Sequence, residues 1–153
     1  MSEALFYHLE RRRLDDVIPG LVERTLERGW RALIRVESAD RAAAIDALLW
    51  TYNDESFVPH AIAGDGDAAR QPVLVTVEED NANRAQVLFL VGGAVVSDWT
   101  QSAASFDRIV MLFEGRDPEA LASARDAWKR ARGAGLDVTY WKENAAGKWE
   151  KQA

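Results

Sequence analysis

The residues of this chain best suited to proton transfer or metal binding are its two histidines, His8 and His60. His60 lies close in sequence to Asp54, Glu55, Asp65 and Asp67, a set of oxygen donors that resembles a hard-cation site in composition. A degenerate nucleotide- or metal-dependent enzyme would have to use this loop. The spacing matches no ligand pattern, however, and acids in a turn more simply accept backbone amides while His60 meets a loop carbonyl. The Gly-x-Gly at Gly64-Asp65-Gly66 precedes no predicted helix, and its acids Asp65 and Asp67 repel phosphate. Between Tyr7 and Leu14, where a phosphate-cradling loop would follow an opening strand, there is no glycine. No Gly-Lys-Ser/Thr occurs, no serine sits in a Gly-x-Ser-x-Gly elbow, and there are no cysteines. Catalysis has no evident home, and nothing calls for a metal or other cofactor.

The remaining chemistry is cationic. Over residues 118–132, steps of about 100° per residue place Ala120, Ala124, Ala127 and Ala131 on one arc, small enough to let a helix approach a sheet closely. A neighbouring arc holds Leu121, Arg125, Trp128, Lys129 and Arg132. Two readings are open. The cations form a solvated face with Trp128 in the core, or they line an aromatic-walled groove suited to an acidic, aromatic peptide.

The elements that would position these residues follow from periodicity. Strands are predicted at 5–8, 31–36, 73–77, 87–91, 108–113 and 138–141, with a short hairpin tail near 147–150. Helices are predicted at 14–28, at 41–50 behind a Ser38 cap, and at 118–132 behind Asp117-Pro118. Pro19 suggests that the first helix starts near that position or is distorted. Residues 52–70 read as turn-rich. Strands alternate with helices, and two strands are apolar at almost every position. The fold class is therefore α/β, a mostly parallel sheet covered on both faces in three layers. With 153 residues, 48% hydrophobic and 29% charged, the chain reads as one globular domain over residues 1–153. The opening residues lack a secretory pattern and no apolar run spans a bilayer, so a soluble, cytoplasmic protein is expected. A formal net charge of -6 disfavours direct contact with nucleic acid.

Several runs carry a resemblance to the DNA polymerase III chi family. They are Phe6-Tyr7, Gly29-Trp30-Arg31-Ala32-Leu33-Ile34, Leu48-Leu49-Trp50, Glu55-Ser56-Phe57-Val58-Pro59-His60, Ala63-Gly64-Asp65-Gly66, Pro72-Val73, Phe106-Asp107-Arg108, and Trp128-Lys129 with Gly135. The resemblance implies a Rossmann-like domain without a nucleotide site. It implies a non-catalytic role in DNA replication, linking the clamp loader to single-stranded-DNA-binding protein, whose acidic tail ends in Pro-Phe. By position, the tail-binding role falls on Arg125, Trp128, Lys129 and Arg132. Trp128 stands where relatives carry a tyrosine, and Leu121 where a lysine contributes. The resemblance also implies a surface for a psi-type subunit, or a competing helicase, around Trp50, Phe57, Val58 and Pro59. Physically, Trp50 and Phe57 either form an exposed hot spot or close the core; both readings are open.

Overall fold

Side-chain alternation along the strands decides what lies on each side of the sheet. The computed structural model describes residues 2–51, 60–62 and 68–152. In β1 (Glu3–Leu9), Ala4 and Phe6 enter one core, whereas Leu9 enters the other with Leu5 and Tyr7 packed beside it. The same division runs through β2 (Ala32–Arg35), β4 (Val73–Thr76), β5 (Val87–Leu90) and β6 (Arg108–Glu114). Leu33, Leu74, Leu88 and Met111 serve one side; Ile34, Val75, Phe89 and Val110 serve the other. These strands are buried on both faces, which is why they read as continuous apolar runs.

With β3 (Ala61–Ile62), β7 (Asp137–Glu143) and β8 (Trp149–Lys151), the described residues form a sheet of eight strands in the order β3-β4-β2-β5-β6-β1-β7-β8. Every neighbouring pair is parallel except the last, β7 with β8. Helices α1 (Leu14–Glu27) and α2 (Ala39–Thr51) cover one face. The other face is covered by α3 (Trp99–Ser105) and α4 (Pro118–Gly133). The expected three-layer α/β architecture is the observed one.

Helix starts follow local chemistry. Ser38 Oγ accepts from the Arg41 amide at 3.2 Å, and Asp117 Oδ1 accepts from the Glu119 amide at 3.0 Å. Two readings need correction. The first helix begins at Leu14, ahead of Pro19, and continues as helix past it. Its buried Pro19 ring packs into the core, and the carbonyl left without a donor belongs to Asp15, at an exposed position. Helix α3 was not expected at all. It is short, and its signal is Asp98, whose Oδ1 accepts from the Gln101 amide at 3.0 Å, followed by buried Trp99.

Helix α4 lies over β6, β1 and β7, with Ala124 and Ala131 at 1% and 0% exposure against the sheet. Ala131→Leu should therefore lower stability by about 1–3 kcal/mol through overpacking, read as a reduced denaturant midpoint. An unchanged midpoint would mean that α4 does not depend on this close approach.

Candidate functional site

The alanine face of α4 turns its cations outward. Arg125, Lys129 and Arg132 are exposed on the side beyond Trp128, and none of the three makes an ion pair among the described residues. On the opposite side of the helix, Arg130 is held by Asp126 at 2.8 Å. Trp128 is half-buried. Its ring packs edge-on against Phe6, with centroids 5.6 Å apart, and against Tyr140 at 5.8 Å. The tryptophan is thus packed into the core at one edge, next to the exposed cations of the same helix. Leu121, half-buried, joins the same apolar cluster.

Beneath Trp128 lies a polar cluster that the sequence did not reveal. His8 Nδ1 is 2.5 Å from the Tyr140 hydroxyl, and His8 Nε2 is 2.7 Å from Glu10 Oε1, at an angle poor for a hydrogen bond. Lys142 Nζ approaches the same Glu10 oxygen at 3.5 Å. Burial lowers the His8 pKa; Glu10 opposes this, while Lys142 and Arg125 add to it. The ring is therefore neutral at pH 7. With Glu10 beside Nε2, the ring proton is best placed there, leaving Nδ1 to accept from the Tyr140 hydroxyl. Burial raises the Tyr140 pKa and Arg125 partly offsets it, so Arg125 acts electrostatically on both partners. Space for the imidazole is made by Gly115, where a Cβ would fall 1.8 Å from His8 Nε2.

A second unpredicted feature is Glu143, at the end of β7 and fully buried. Its Oε1 accepts three backbone amides, from Glu10 at 3.1 Å, Arg11 at 2.6 Å and Arg12 at 2.9 Å. Its Oε2 is bound by Arg12 Nε at 2.5 Å. Burial opposes the charge, but these donors outweigh it and hold the carboxyl down to about 2. Arg12 also lies over the Trp149 ring, 5.3 Å from its centroid, and Trp149 packs against Tyr7.

At the far end of the sheet, Trp50 is 54% exposed at the end of α2, its ring 4.8 Å from that of His60. Exposure is thus the reading that holds for Trp50. Phe57, Val58 and Pro59 lie outside the described residues, as do Asp54, Glu55, Asp65 and Asp67. His60 Nε2 is 3.0 Å from Asp46 Oδ1, an acid on α2. Among the described residues, no group of three or more His, Cys, Asp or Glu could hold a metal ion. Nor is any helix there long and apolar enough to cross a membrane.

The family model described as DNA polymerase III chi subunit, HolC, matches residues 1–139. The probable DNA polymerase III subunit chi of Rickettsia prowazekii is 28% identical over 91 residues, covering 60% of this chain but only 55% of that protein. The DNA polymerase III subunit chi of Escherichia coli is 29% identical over 154 residues, covering 93% of this chain and 100% of that protein.

Glu143 gives the fold a definite pH signature. A carboxyl held at about 2 against an ordinary value of 4.5 stabilises the native state above the unfolded pKa and loses that contribution as pH falls. The loss, on the order of 3 kcal/mol, should run between roughly pH 5 and pH 2. Glu143→Gln should be less stable than the parent at pH 7, with the gap closing towards pH 2 in denaturant titrations. A gap independent of pH would remove the assignment.

Proposed function

The chain belongs to the DNA polymerase III chi subunit family, accessory rather than catalytic components of the replicative polymerase, and from that premise we propose that it is a replisome adaptor. In this reading the outer face of α4 binds the acidic C-terminal tail of single-stranded-DNA-binding protein. The Trp50 end meets a psi-type subunit of the clamp loader, or a helicase competing for the same surface. DNA is then contacted only indirectly, in keeping with a net charge of -6.

The observation that carries the reading is the set of cations Arg125, Lys129 and Arg132, unpaired within the described chain and grouped around half-buried Trp128. An acidic peptide supplies the charges they lack, and guanidinium groups can take a carboxylate through two parallel hydrogen bonds. Trp128, already fixed by Phe6 and Tyr140, offers a firm apolar surface for an aromatic side chain at low entropic cost. Where relatives present a lysine this chain presents Leu121, so its grip rests more on apolar contact and less on charge.

The decisive measurement is binding of a synthetic acidic peptide ending in Pro-Phe. Arg125→Ala combined with Lys129→Ala should weaken it by roughly tenfold or more, and added salt should weaken binding to the parent. If the double variant is folded and binds like the parent, the α4 site is wrong. Trp50→Ala should leave stability within about 0.5 kcal/mol of the parent, as for other exposed positions. The same change should impair capture of a purified psi-type subunit; undiminished capture would exclude Trp50 from that interface.

A further inference from the structure

The adjacent strands β1 and β6 lead to helices on opposite faces, α1 on one and α4 on the other. In an open parallel sheet such a divergence opens a crevice at the carboxyl ends of the two strands, the usual place for an anionic ligand. Here a cleft of about 400 Å³ occupies that position, lined by Arg11, Arg12, Arg13 and Arg116 together with the carboxylates Glu10 and Glu114. The turn leaving β1 forms one wall. Its consecutive amides at Glu10, Arg11 and Arg12 converge on a single carboxylate oxygen, Glu143 Oε1, while the Arg12 guanidinium holds the other. Converging backbone N–H groups backed by a guanidinium are the donor set that recognises phosphate and carboxylate.

We propose that this turn is an oxyanion seat, occupied in the native chain by Glu143 and open to a small free oxyanion once that carboxylate is removed. The seat lies in the turn ahead of α1 and does not use the first amides of the helix. It also needs no glycine. Among the described residues the only non-glycine residue with positive φ is Arg84, so residues 10–12 bring their amides together in ordinary backbone conformations. The occupant arrives from 131 to 133 positions away in sequence and lies beyond residue 139, where the family match ends. Closure by the chain's own carboxylate fills the amides at residues 10–12 that a free phosphate would otherwise take.

The test is chemical rescue of the full chain carrying Glu143→Ala, with thermal midpoints measured in sodium formate, sodium phosphate and sodium chloride at matched ionic strength. Formate replaces a carboxylate and phosphate supplies a tetrahedral oxyanion, so the two arms separate the shapes the seat accepts. At ten times its dissociation constant, an accepted anion should raise the variant's midpoint by about 3–6 °C over chloride. The parent, its seat filled, should show no such excess, and Arg12→Ala in the variant background should reduce the response. If the variant is unfolded in chloride, an accepted anion should restore the folded circular-dichroism spectrum. A variant that responds to both anions no more than the parent does, or that neither anion refolds, overturns the proposal and leaves Glu143 a purely structural tie.

Discussion

A parallel strand buried on both faces leaves polar chemistry few places to go: the ends of the strands and the outer surfaces of the helices. That constraint arranges this molecule. From Ala32 to Arg35, Val73 to Thr76 and Val87 to Leu90 every residue is buried, so helices must close both sides. The helix covering β1 and β7 approaches through Ala124 and Ala131, packs Leu121 and Trp128 at its edge, and turns its charged residues outward. The cationic face of α4 follows directly from its alanine face.

Electrostatics then acts locally against the overall charge. A chain with a net charge of -6 would repel an acidic partner on average, yet Arg125, Lys129 and Arg132 stand together without internal partners among the described residues. Arg125 also reaches inward. Its field bears on both His8 and Tyr140, and Tyr140 packs against Trp128. The aromatic floor and the neutral His8 cluster are thus one packed unit, so the proposed binding face is supported by buried contacts and does not stand alone as a surface patch.

The carboxyl ends of β1 and β7 are joined by Glu143, which ties the C-terminal hairpin to the turn before α1. In folds that bind nucleotides, amides at that turn receive a phosphate. Here they receive the chain's own carboxylate.

Much of the fold was legible in the residues, because alternation and helical period report burial directly. The α/β class, the strands of the central sheet, the Ser38 cap and the start of α4 behind Asp117-Pro118 all follow from local pattern. Pro19 misled because a proline's cost depends on what its ring packs against, and α3 escaped because seven residues hold too little period to detect. At the candidate site, Arg125, Trp128, Lys129 and Arg132 were found because they recur along one helix. His8 with Tyr140, and Glu143 with the turn of residues 10–12, were invisible since each pairs residues more than a hundred positions apart. A glycine-rich loop is one way of freeing amides, and this turn brings its amides together without one. Local spacing, acting through periodicity, determined the layers and the cationic helix. Only tertiary structure decided which polar groups meet at the strand ends, because sheet order alone sets β7 beside β1.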